Sequence, residues 1–260
     1  MFLKSLKQKL DYHYRYFDRS QISPDPLEFL HRYSEPNDIE IAGIISAVFA
    51  YGNVKQIINT LDKIHGVMLN KPYDFVINYS LERGTTLFQN IKHRFFTSED
   101  IAKFFNALNK SYKLHGSLKN MFFTIFSDKN GNFKEAVSSF SNRLTEYTVN
   151  GGNKSLGITF MFPDPFIGSA CKRMNLFLRW MIRKDELDFG LWNEIPTSKL
   201  IIPVDTHIAK ICEQLKLTKR KNVSWKMAEE ITENLKKYDP IDPVKYDFAI
   251  CHIGMRKLKF

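Results

Sequence analysis

The sequence predicts an all-α protein, and three observations carry that reading. Apolar residues recur at intervals of three and four in almost every segment. No stretch alternates apolar and polar side chains as a half-buried strand would, and no hairpin-turn pair separates two such stretches. Capping residues stand at the expected helix starts. A chain of 260 residues with 43% hydrophobic content can bury one large core or two modest ones without a disulfide or a structural metal.

Taken in order, residues 1–17 read as a basic amphipathic helix without an apolar signal region or a small-residue cleavage site. A helix is expected over 38–50, where Asn37 and Glu40 form a capping-box pattern ahead of Ile41, Ile44, Ile45, Val48 and Phe49. Gly52 ends it, and Asn53 can cap a second helix through Ile57, Ile58, Leu61 and Ile64. Helices follow near 71–79, 98–113, 117–126 and 132–148, the one at 98 opened by Thr97 with Asp100 three residues on. Turn residues then cluster in Asn150-Gly151-Gly152-Asn153 and in the run from Phe162 to Ser169. Beyond them come a helix over 169–183, an irregular stretch through Trp192 and Pro196, and helices over 206–216, 224–237 and 243–258.

The formal charge of +10 points to an anionic partner, and its distribution is uneven. Residues 1–33 and 166–260 together carry an excess of 8 positive charges, against 2 for residues 34–165. If the two ends meet, they form a basic domain and the middle a nearly neutral one. Cys171, Cys212 and Cys251 form no C-x-x-C pair or four-cysteine set, so no metal is implied and a reducing, cytoplasmic setting is expected. Nowhere do about 18 uninterrupted apolar residues occur, so no membrane span is expected.

Two segments bear chemistry. In Ile202-Pro203-Val204-Asp205-Thr206-His207, Pro203 forces an extended approach and Asp205 stands at an N-cap, ahead of an apolar stripe formed by Ile208, Ile211, Cys212 and Leu215. A carboxylate there is ordinarily a cap and nothing more. Upstream, Gly168-Ser169-Ala170-Cys171-Lys172-Arg173 places a lysine in the first turn after a glycine bend. N–H groups around Gly168 and Ser169 at such a terminus suit a phosphate. Lys172, with Arg173 beside it and the helix dipole behind it, stands where an amine is made nucleophilic. Lys172, Asn175, Arg179 and Arg183 share one helical face, which also reads as an ordinary solvated face. Lys216, Lys219, Arg220 and Lys221 form a basic run suited to phosphate or to solvent. Trp180 and Trp192 are candidates for stacking on a base or for the core, and His207 for packing or a phosphate contact.

The glycine bend, the following lysine and the Pro-Val-Asp-Thr-His-Ile run together resemble the helix-hairpin-helix base-excision DNA glycosylases, the superfamily of endonuclease III and the 8-oxoguanine glycosylases. The separation of Lys172 from Asp205 is longer than in endonuclease III and looks more like the archaeal 8-oxoguanine branch, and the run from Gly168 to Met181 is similar to a bacterial family of unassigned function with the same fold. The likeness covers roughly residues 36–64 and 160–258. It departs in lacking the Leu-Pro-Gly-x-Gly hairpin, in carrying an insertion around Trp192, and in lacking the cysteines of an iron-sulfur cluster.

What the resemblance implies is specific. Two helical domains would flank a DNA-binding cleft, a central bundle of residues 34–165 and a basic domain of 1–33 with 166–260. Lys172 would attack the sugar C1′ to form a Schiff base, with Asp205 stabilising positive charge at the sugar. Gly168, Ser169, Arg173, Arg179, Lys219 and Arg220 would contact DNA, and Tyr51, Asn53 and Gln56 would form a base pocket or wedge. Asn53 also reads simply as a helix cap. The expected partner is double-stranded DNA with a damaged purine such as 8-oxoguanine, bound by a cytoplasmic, nucleoid-associated monomer needing neither metal nor cofactor. The rival readings are a non-catalytic DNA-binding member of the fold and a basic helical module that meets RNA or an acidic protein.

Overall fold

The structure, a computed structural model, describes the backbone of residues 5–255 and the side chains of 5–251. Among these residues the fold is all-α, with no strand and only two isolated bridges, His93 to Phe96 and Lys184 to Phe189. No helix among them is long and apolar enough to cross a membrane. The chain divides into two compact units, one continuous, Ser23–Asp164, and one discontinuous, Met1–Ile22 with Pro165–Phe260.

In the discontinuous unit, helix α1 (Leu6–Tyr16) opens on a capping box in which Ser5 and Gln8 exchange hydrogen bonds. In the continuous unit, α2 (Pro36–Phe49) is buried on every side from Ile39 onward, as its nearly unbroken apolar sequence requires. Residues 23–33 were expected with the chain ends but belong here, because the 3-10 turns of Pro26–Arg32 bury Leu27, Phe29 and Leu30 beside α2. Arg32 lies over the Phe29 ring and pairs with Asp62 at 2.9 Å.

The Asn37–Glu40 capping box does not form. Pro36 takes the first helical position, and the Glu40 carboxylate is buried instead at the start of another helix. It accepts hydrogen bonds from the Tyr112 hydroxyl at 2.5 Å and from the N–H groups of Leu118 and Lys119 at 2.8 and 3.0 Å. Sequence spacing cannot separate a local cap from a distant one.

Helix α3 (Val54–Val67) starts at Asn53 as expected, and α4 (Pro72–Ile77) is shorter than expected. An unexpected helix, α5 (Leu81–Leu87), contains Gly84, where a methyl group would overlap the Tyr79 hydroxyl. The glycine that argues against a helix is the one that lets Tyr79 pack against it. The Thr97–Asp100 box caps α6 (Ser98–His115), followed by α7 (Leu118–Asp128), α8 (Phe133–Val149) and the unexpected short α9 (Leu156–Met161). Phe88, Phe104, Phe105, Phe122 and Phe140 fill this core.

The chain then returns to the discontinuous unit through α10 (Lys172–Ile182), α11 (Thr206–Gln214) and α12 (Trp225–Lys236). A 3-10 turn, Pro243–Tyr246, precedes α13 (Asp247–Met255), where one helix over 243–258 was expected; residues 256–258 of that expectation lie outside the described residues. Trp180, Trp192, Trp225 and Tyr246 are fully buried here, so both candidate stacking tryptophans are core.

Candidate active site

The bend before α10 is closed on itself. Gly168 takes φ 90°, a left-handed value that favours glycine, and its N–H donates to the Pro165 carbonyl at 3.2 Å. The Ser169 hydroxyl accepts the Cys171 N–H at 3.1 Å, and Asn175 Nδ2 donates to the Ala170 carbonyl at 3.1 Å. Cys171 is itself left-handed, at φ 49°, so the helix begins at Lys172 and not at 169. The Gly168 N–H, counted as a phosphate ligand from the sequence, is therefore already committed.

Asp205 caps α11 through one oxygen and leaves the other free for a second partner. Oδ1 accepts the N–H groups of His207 and Ile208, both at 2.9 Å. Oδ2 meets Lys172 Nζ at 2.7 Å. Burial by itself would raise this carboxyl, but the Lys172 ammonium and the two backbone donors outweigh it and hold it below the usual carboxylate range. Residues 33 positions apart thus form one ion pair at the starts of two helices, with side chains 33% and 35% exposed. The charge beside Lys172 is a carboxylate, which favours the ammonium form. That reverses the cationic setting expected from Arg173, which is buried.

Behind the pair, the polar face of α10 is buried and not solvated. Asn175 is fully buried, and Arg179, 3% exposed, donates to Asp188 at 3.1 and 3.3 Å and pairs with Asp247. Arg183 bonds Asp242 at 2.8 and 3.0 Å and Asp185 at 2.8 Å, and meets Asp188 as well. Burial lifts Asp247 to about 6 against the pull of Arg179, with Lys172 acting in the same sense as the arginine. Arg173 and Arg179 are therefore withdrawn from the expected DNA-contacting set, because neither reaches a surface. Sequence reasoning missed Asp185, Asp188, Asp242 and Asp247. The available signal was on α10 itself: Met174, Phe177, Leu178, Trp180, Met181 and Ile182 leave its arginines no solvated side.

Other expected residues lie elsewhere. Lys219 and Arg220 are exposed in the turn after α11, where Arg220 pairs with Glu230 at 2.8 Å and Lys221 with Glu213. His207 is half-buried, and its Nε2 makes no hydrogen bond. In the continuous unit Asn53 Oδ1 accepts the Lys55 N–H at 2.9 Å as a cap, and Gln56 is exposed on α3. Tyr51 donates to the His93 carbonyl at 2.9 Å and packs against Phe96 and Phe160, which holds it in a cluster of rings. Two exposed apolar residues, Phe166 and Ile167, precede the Lys172 bend.

A family model described as "Protein of unknown function (DUF2400)" matches residues 25–256. No curated protein and no solved structure matches the chain.

Proposed function

The chain belongs to the DUF2400 family, and for it we propose a base-excision DNA glycosylase of the helix-hairpin-helix type, with lyase activity through Lys172 on a damaged purine such as 8-oxoguanine. One observation carries this reading: an amine and a carboxylate drawn from distant segments lie 2.7 Å apart at a partly open surface. Such a pair suits attack on the sugar of a nucleotide extruded from the stack.

The resting ion pair holds the lysine as an ammonium, so the proton must leave before attack. Substrate that displaces water from the pair penalises both charges and favours the neutral amine with the neutral acid. Nζ then bonds C1′ as the glycosidic bond breaks and its electron pair departs with the base, which takes up a proton. Opening of the sugar ring gives the imine, from which β-elimination cleaves the strand. Asp205, once ionised again, stabilises positive charge at C1′. Its backbone cap fixes the oxygen that faces the amine. Exposed Lys219 and Arg220 suit the flanking phosphates.

A second reading rests on that same cap. If Asp205 serves only α11 and Lys172 only neutralises it, the protein binds DNA without cutting it. Borohydride trapping on duplexes carrying 8-oxoguanine, an abasic site or a normal base separates the two. The glycosylase reading expects a covalent adduct that Lys172→Gln abolishes. Asp205→Asn keeps an equally good cap and loses a partly exposed pair worth at most about 1 kcal/mol, so it should lose excision while staying folded. Salt-sensitive duplex binding with neither adduct nor base release would leave the binding reading.

A further inference from the structure

The continuous unit carries a groove of about 610 Å³ between α3 and residues 89–94, and no carboxylate lines it. Lys63, Lys92 and Arg94 stand exposed at this groove and make no ion pair. In the same unit Arg32, Lys103 and Arg143 pair with carboxylates while Lys71, Arg83 and Lys113 do not, so what marks the groove is the convergence of three cations on a lining without a carboxylate. In a unit that is nearly neutral, three unpaired cations around one depression form a local anion site. The amides of Gln56, Asn59, Gln89 and Asn90 also face solvent there without a hydrogen-bond partner in the protein. Such amides can donate to and accept from base edges.

The groove runs into an aromatic surface. The Arg94 guanidinium lies 5.2 Å from the Tyr51 ring centre and 5.8 Å from that of Phe95. Phe95 and Phe160 are 45% and 38% exposed, with their rings 5.3 Å apart. Gly52, at φ 102°, holds a left-handed backbone that favours glycine, and it lies against the Arg94 side chain, which a methyl group there would displace. Cations beside open aromatic faces are the two components that hold unpaired nucleotides. A duplex hides its base faces, so exposed rings favour single strands.

We propose that this groove binds single-stranded polynucleotide, with Lys63, Lys92 and Arg94 on phosphates, the amides on base edges, and Phe95 and Phe160 stacking bases. The site uses neither Lys172 nor Asp205, but it takes in Gln56 and lies against Tyr51, both of which the glycosylase resemblance places in a base pocket or wedge.

The test is fluorescence anisotropy with the full chain and labelled oligothymidylate, oligouridylate and the corresponding DNA duplex, between 50 and 200 mM salt. Single strands should bind, and the oligonucleotide bound more tightly identifies DNA or RNA as the ligand. Lys63→Gln/Lys92→Gln should flatten the dependence of log K on log salt by about 1.4, at about 0.7 per phosphate lost. Phe95→Leu should weaken binding roughly 5- to 150-fold, the range for one lost base stack. Lys113→Gln, at an exposed cation of the same unit outside the groove lining, should leave single-strand affinity and its salt slope unchanged. Absence of single-strand binding, indifference to both groove variants, or equal duplex binding with the same losses would overturn the proposal.

Discussion

Replacing Arg179 by methionine tests whether the ion cluster behind Lys172 is a buried network whose members depend on one another. The guanidinium is 3% exposed and bridges Asp188 and Asp247. After the change Asp188 still faces Arg183, while Asp247 loses the guanidinium it pairs with. Removing one member of a buried pair costs about 3–5 kcal/mol. At a urea m-value of about 2 kcal/mol/M, that lowers the midpoint by roughly 1.5–2.5 M. The loss must also depend on pH. With Arg179 present burial holds Asp247 at about 6; without it, a carboxyl in that setting rises above about 8. Between these values the folded variant binds a proton that its unfolded chain does not, so its stability rises as pH falls. The wild type changes little over the same interval. The difference between them should therefore shrink by roughly 2 kcal/mol from pH 8 to pH 6. All three tryptophans, Trp180, Trp192 and Trp225, belong to the discontinuous unit, so selectively excited tryptophan fluorescence follows this unit alone. An unmoved midpoint, or a difference constant from pH 8 to pH 6, would refute the argument.

Two predictions concern the continuous unit, which has no tryptophan and is followed as the part of the circular dichroism transition that tryptophan fluorescence does not share. Glu40→Ala strands the Tyr112 hydroxyl and two helix N–H groups, and should cost roughly 3 kcal/mol; a loss under about 1 kcal/mol would show that water replaces the carboxylate. His65 is pushed down to about 3 by burial, and its Nδ1 shares a 2.6 Å hydrogen bond with the Tyr33 hydroxyl. Below pH 6.5 the unfolded chain takes a proton that the folded chain refuses, so stability should fall by about 1.6 kcal/mol in all between pH 6.5 and 5. His65→Gln should remove that slope, and a slope unchanged in the variant would exclude the histidine as its source.

Local signals were the legible ones. Asn53, Thr97 and Asp205 each cap the helix that follows them in the chain, because a cap is a relation between residues two or three apart. Glu40 carried the same spacing yet serves α7, and nothing near it in sequence indicates Tyr112 or Leu118. The arginines of α10 mark the other limit. Periodicity placed Arg179 and Arg183 on one face, but whether water or aspartates cover that face depends on residues up to 68 positions away. The 2.7 Å meeting of Lys172 and Asp205 is of the same kind, since each residue was visible alone while their contact is a product of folding.

The discontinuous unit has a consequence for synthesis on the ribosome. Arg179 is translated 68 residues before Asp247, and Asp11 235 residues before Tyr246, whose hydroxyl it accepts at 2.7 Å. At about 5–20 residues per second, the arginine waits roughly 3–14 s for its partner and the aspartate roughly 12–47 s. The continuous unit is complete well before then. Asp185 and Asp188 follow α10 within a second or two, so the nascent helix is partly compensated from the start, but its ion cluster stays incomplete for seconds until Asp242 and Asp247 emerge.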